Sequence, residues 1–365
     1  MASEAEPRAT PALLRLRNYT EDALKVSAAG PPWHRGVVAV VSVLGALWIG
    51  NSEGAHGGLA VGPALAVFMT LADTEGALKL RLEMLLLAAL GMTVGGLLGL
   101  WLASAPIILG GVFLVLVALA GIGSFIGPPF QQAGRFCIIV GLLVSLVKVD
   151  ANELLVMIAL TAALVASART VEHLIAPDQK TGDFRSAKEA VFVIRAGRWH
   201  LLRFVTAYVL AAAIGWVIGR TADAVHPTWV TVTVVVVMWA DAHRSYQRVL
   251  QRVVGTLAGA LVTLLLTSLV TNARVLEVVA AMLLFFLPHF IRRNYWLHTG
   301  LMVIFVMISL DLWSGKQFST HLILERVGDV LLGCLLALLG TVVAFAAIHA
   351  RIAKTQSDPD GEPVK

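Results

Sequence analysis

The sequence predicts an all-α integral membrane protein of about twelve transmembrane helices, arranged as two parallel repeats of six. Three observations carry this. Of its 365 residues, 58% are hydrophobic and only 14% are charged, against roughly a quarter charged in a soluble domain. The apolar residues gather in twelve runs, several of them short of the ~20 residues that cross a hydrocarbon core unaided. With the N-terminus on the cytoplasmic side and the runs alternating, twenty-three of the 28 Lys and Arg fall inside and five (Lys148, Arg220, Arg274, Lys316 and Arg326) outside. That is the asymmetry of the positive-inside rule.

In chain order, residues 1–35 carry Glu4, Glu6, Glu21 and Asp22 and no apolar core followed by a small-residue cleavage site. They are expected to be a cytoplasmic segment, not a signal peptide. Residues 36–168 form the first repeat, with spans near 36–50, 57–72, 84–103, 107–126, 136–147 and 154–168. Residues 169–203 are the one long polar stretch within the chain and read as a cytoplasmic linker. Residues 204–350 form the second repeat, with spans near 204–219, 227–240, 253–270, 275–290, 296–310 and 327–348. Residues 351–365 are expected to be a disordered cytoplasmic tail. Sliding one half on the other supports the repeat: Arg35 and Arg203, Trp48 and Trp216, and Ala72-Asp73 and Ala240-Asp241 coincide at an offset of 168. Gly91 and Gly95 meet Gly255 and Gly259 at an offset of 164. An even number of spans gives both halves one orientation, with a path between them.

The net charge of +5 is accounted for by these basic loops, so nucleic acid is not an expected partner. Cys137 and Cys334 lie inside apolar runs and define neither a disulfide framework nor a zinc site. The stretch HPTWVTVTVVVVMWAD, His226 to Asp241, has the composition of a strand. A lone strand in lipid leaves its backbone groups unpaired, so a helix is expected. Fourteen helical residues from Pro227 to Ala240 span ~21 Å against a core of ~30 Å, which implies tilt, local thinning or placement within the bundle. His226-Pro227 suits a helix start. Asp241 would then sit at the helix C-terminus, where the dipole opposes it, with Arg244 as its nearest partner.

His226, Trp229, the β-branched run after it, Arg252-x-x-Gly255-Thr256-x-x-Gly259 and Arg326-x-x-Asp329-x-x-x-Gly333 together resemble the membrane domain of the fusaric acid resistance protein-like family. That family is similar to the aromatic acid exporters and, more distantly, to plant aluminium-activated malate transporters. The likeness covers about His226 to Leu339. In the first half, His56 is followed by Gly-Gly-Leu with no Trp, and neither Arg326 nor Asp329 has a counterpart. The resemblance implies export or channelling of organic anions, aromatic carboxylates foremost.

Elementary physics allows the same reading, because an anion crossing low dielectric needs positive groups along its way. Arg326, Arg248, Arg252 and Arg135 are the candidates, with Trp229, Trp216 and Trp239 as flat apolar faces. Asp329, Asp73 and Asp241 are the carboxylates able to take up protons or to hold those arginines. Structural roles compete: topology signals for Arg248 and Arg252, caps or salt bridges for Asp73 and Asp241, interface anchoring for the tryptophans. Hydrogen-bonded structural roles compete for His226, His289 and His298, and a solvated loop for Lys148 and Asp150. There is no Gly-rich phosphate loop after a strand, no His-Glu-x-x-His and no nucleophile elbow, so the expectation is a non-enzyme without a cofactor. The expected partners are the bilayer of the inner (plasma) membrane and a small organic anion. A homo-oligomer is permitted but not required. A passive anion channel and a scaffold subunit of an envelope-building system are the alternatives.

Overall fold

The computed structural model describes residues 20, 23–25, 33–52, 56–72, 77–147, 149–175, 189, 192, 194–195, 197–221, 228–270, 272–290, 294–314 and 320–357. Among them the chain forms twelve helices of nine residues or more and no strand. In order these are α1 (Trp33–Ser52), α2 (His56–Ala72), α3 (Leu78–Leu102), α4 (Pro106–Ile126), α5 (Pro128–Ser145), α6 (Ala151–Ile175), α7 (Arg198–Thr221), α8 (Trp229–Val237), α9 (Ala242–Leu269), α10 (Ala273–Phe290), α11 (Tyr295–Ser314) and α12 (Thr320–Ser357). Six contain a stretch long and apolar enough to cross a membrane: α3, α4, α6, α7, α9 and, within α12, Ile323–Ala346. Leu44, Val94, Leu119, Leu210, Leu261 and Leu335 are all exposed, the apolar exterior that lipid contact needs.

Several helices run well past the apolar runs that announce them. α3 starts at Leu78, α5 at Pro128 and α9 at Ala242, and α6 continues to Ile175. An apolar run marks what lipid accepts, whereas a helix continues wherever its side chains find partners. At one end of α3 and α6, buried Arg81 and Arg169 both reach the Glu172 carboxylate, at 3.0 and 2.6 Å. α9 begins because Asp241 caps it, its Oδ1 accepting from the backbone N–H groups of His243 and Arg244 at 2.9 and 3.3 Å.

The β-branched stretch is helical, but for only nine residues, ~13 Å at 1.5 Å per residue. Val230, Thr231, Thr233, Val234, Val235, Val237 and Met238 are all buried. Placement inside the bundle is therefore the solution to its shortness. Small residues on the neighbours admit it: a Cβ on Gly333 of α12 would lie 2.6 Å from Thr233 Cβ and 2.8 Å from the Val230 carbonyl. Gly215 of α7 faces Thr231 and Val230 in the same way.

Within α1–α6, the closely packed pairs are first with second, first with sixth, second with sixth, third with fifth, third with sixth and fourth with fifth. Within α7–α12, the same six ordinal pairs pack. The third-with-fifth contacts are backbone to backbone. A Cβ on Gly91 or Gly95 of α3 would strike the Ala133 or Cys137 carbonyl of α5, and one on Gly255 or Gly259 of α9 the Trp296 or Gly300 carbonyl of α11. Between the two sets, α4 packs on α7 and α10 on α1. One apolar core joins Phe113 and Val117 of α4 and Ile138 of α5 to Phe204 and Tyr208 of α7 and to α8. Another joins Val43 of α1 and Ala66 of α2 to Leu284 and Leu287 of α10.

Candidate functional site

α8 carries an arginine–indole contact at each end. At its start, the Arg326 guanidinium lies 3.7 Å from the Trp229 ring centroid. Just past its end, Trp239 has Arg135 at 4.2 Å and Arg248 at 5.6 Å, and Arg248 also lies 3.9 Å from the Tyr295 ring. Such contacts contribute ~0.5–1 kcal/mol when exposed and ~2 when desolvated.

The Arg326 end unites three separated pieces of sequence. Arg326 is 8% exposed, and its Nε and Nη1 are buried without hydrogen-bond partners, as is Nε of Arg252. Arg252 and Asp329 are within electrostatic reach of Arg326. Asp329 Oδ2 is buried without a hydrogen-bond partner, and so is the hydroxyl of Thr256. Arg326 and Asp329, three residues apart on α12, do not form a contact ion pair among the described residues. Gly255 and Gly259 draw in α11 and Gly333 draws in α8, so the glycines of the motif bring together the helices on which its charges sit.

The other end is held by hydrogen bonds to carbonyls that α8 leaves free where it stops. Met238 is extended, with φ −78° and ψ 126°. Its carbonyl accepts from Arg135 Nη2 at 2.7 Å, and the Val235 carbonyl accepts from the Tyr208 hydroxyl at 3.0 Å. Ser245 closes the turn, its Oγ accepting from the Trp239 N–H at 2.8 Å and donating to the Trp239 carbonyl at 3.0 Å. A helix end deep in a membrane protein needs such partners, because no water is there to replace them. At this end the Ala23 carbonyl accepts from Gln251 Nε2 and the Leu24 carbonyl from Trp296 Nε1.

The structure thus gathers Arg326, Arg252, Trp229 and Asp329 at one end of α8, and Arg135 and Arg248 at the other. Asp241 belongs to neither, and its expected placement is corrected. It is not at the C-terminus of the valine-rich helix, which stops at Val237, but is the N-cap of α9, where the dipole favours it. Its Oδ2 lies 3.7 Å from Arg244 Nε in an exposed pair. Asp73, His226, Pro227 and Lys148 lie outside the described residues. His298 is buried, its Nδ1 3.0 Å from the Leu287 carbonyl. Tyr208 and Tyr295 were not among the expected residues. Tyr295 opens an apolar run and is visible in hindsight as a polar head at a helix start, whereas Tyr208 sits in an apolar face and gave no sign.

Fold and exterior define an all-helical, multi-pass membrane protein. Residues 202–340 match the family described as fusaric acid resistance protein-like, and this stretch holds every residue of the two clusters except Arg135. Family match and spanning helices together point to a membrane transporter of the efflux type. No curated protein and no solved structure matches the chain.

Proposed function

We propose that the protein is an inner-membrane transporter that exports small organic anions, aromatic carboxylic acids foremost, without altering them chemically. Its twelve helices form two parallel six-helix repeats, with both termini in the cytoplasm. The observation that carries the reading is Arg326, buried beside a second cation, Arg252, with nitrogens of both lacking acceptors. An ionised arginine within a membrane is costly enough to mark function. A carboxylate supplies the missing acceptors, and the Trp229 indole offers an aromatic substrate a flat wall. The matching backbone-close glycine contacts and the shared ordinal packing of α1–α6 and α7–α12 support the repeats.

The test is flux of labelled benzoate from liposomes containing the full-length protein. Uptake or release above empty liposomes is expected, reduced at least ~10-fold by Arg326→Gln, the loss of one charge-assisted contact of ~1.5–3 kcal/mol. No flux from the unmodified protein sinks the transport reading and leaves the scaffold alternative. Flux that follows membrane potential and ignores a proton gradient makes it a channel.

A further inference from the structure

We infer that the protein has a second anion-binding station, assembled across the two sets of six helices: Arg135, Arg248, Trp239 and Tyr295 together hold a small carboxylate. This rests on the reading above that the protein handles organic anions. It goes further in placing a separate resident at the opposite end of α8 from Arg326.

Buried donors at this end of α8 outnumber their acceptors. Arg135, on α5, is 9% exposed. Its Nη2 is used by the Met238 carbonyl, but its Nε is buried without a partner, as is Trp239 Nε1. Arg248, one face of α9, has no carboxylate within 4.0 Å among the described residues. Among the described residues, the charged or titratable groups within electrostatic reach of these two guanidiniums are each other, Arg244, His298, and the phenols of Tyr208 and Tyr295. None of these is a carboxylate. Two like charges therefore share the Trp239 indole, at 4.2 and 5.6 Å, with orphaned N–H donors beside them and no anion among the described residues. Buried charges are paired or strongly penalised, and the partner that this arrangement lacks is an anion. Tyr295, 3.9 Å from Arg248, completes an apolar wall for the body of a carboxylate.

The two stations differ in a way that gives them different tasks. Asp329 competes with a bound anion beside Arg326, whereas among the described residues no carboxylate is within electrostatic reach of Arg135 and Arg248. Arg252, four residues after Arg248 on the same helix, is within reach of Arg326 and gives a step between them. Arg135 is the contribution of the first six helices, and it acts both by binding and by fixing the end of α8.

Equilibrium binding of labelled benzoate to the full-length protein in detergent tests this. Two equivalents per chain are expected. Arg248→Gln is expected to remove one and Arg326→Gln the other, while Arg248→Lys retains both. Trp239→Leu removes the same equivalent as Arg248→Gln, which guards against one variant failing to fold. One equivalent in the unmodified protein, unaffected by Arg248→Gln and lost in Arg326→Gln, overturns the second station and leaves the transporter reading standing. Two equivalents persisting in both Arg248→Gln and Trp239→Leu overturn it as well. No binding by the unmodified protein overturns both proposals.

Discussion

Gly259→Ala is expected to destabilise the protein, although alanine is the better helix former. The added Cβ would lie 2.6 Å from the Gly300 carbonyl oxygen, 3.0 Å from Gly300 Cα and 3.1 Å from Val303 Cβ. Ordinary contact begins near 3.4 Å, so α9 and α11 must separate by about 0.8 Å. The obstacle is backbone, so no side-chain rotation relieves it. Overpacking of this kind costs ~1–3 kcal/mol, more than the ~0.8–1 kcal/mol that Gly to Ala contributes to helix propensity. Gly111 and Gly328 have nothing within 4 Å of their added Cβ, so Gly111→Ala and Gly328→Ala keep only the propensity term and are expected to stabilise by about 0.5–1 kcal/mol. The assay is equilibrium unfolding of the three variants in one detergent. The same chemical change should then give opposite signs at buried and open glycines. A Gly259→Ala protein as stable as the Gly111→Ala protein would refute the close approach of α9 and α11.

Four further substitutions probe three named contacts. Glu172→Gln removes the carboxylate that Arg81 and Arg169 share and is expected to lower unfolding stability by about 1.5–3 kcal/mol; an unchanged midpoint would refute that pairing. Asp241→Ala should lose a cap, about 1 kcal/mol, while Arg244→Ala should change stability by less than about 0.5 kcal/mol because its pair is exposed; benzoate flux should survive both. Tyr208→Phe leaves the Val235 carbonyl without its donor and should cost about 1 kcal/mol, read by the same unfolding assay.

The helix in the valine-rich stretch was legible because in lipid the backbone's need for hydrogen bonds outweighs β-propensity. The offset between Gly91-Gly95 and Gly255-Gly259 also had structural content, since both pairs place a third helix against a fifth. Where α8 stops was not legible. Its end is set by Arg135 and Tyr208, 103 and 27 residues away in sequence, and no local pattern encodes a contact at that separation. The misplacement of Asp241 follows directly: with the helix carried to Ala240, the carboxylate fell on its last turn instead of the first turn of α9. The motif arginines were visible as charges near apolar runs. That Arg326, Arg135 and Arg248 lie over indole rings depends on packing that charge spacing does not specify.

Trp48 and Trp216 make the sharpest test of whether the two sets of helices give matching positions the same surroundings. They occupy the same place under the 168-residue offset, so a strict repeat would give them the same surroundings. Trp216 stacks on Phe113 of α4, with centroids 5.8 Å apart and planes at 20°, lies against Gly110, and has Arg220 at 5.1 Å. Trp48 is 74% exposed. In a bilayer the hydrophobic term between helices is largely absent and packing decides. Trp216→Ala should therefore lose an aromatic pair of ~0.5–1.5 kcal/mol and a cation–π contact of ~0.5–1 kcal/mol, about 1–2.5 kcal/mol together. Trp48→Ala should lie within about 0.5 kcal/mol of the unmodified protein. If the two variants unfold alike, the α4–α7 contact contributes no more than a lipid-facing side chain, and Trp216 does not clamp the two sets of helices together. If only Trp216→Ala is weakened, a double variant with Phe113→Ala, which also empties a core position, should lose less than the sum of the two single variants by about 0.5–1.5 kcal/mol, the contribution of the stack.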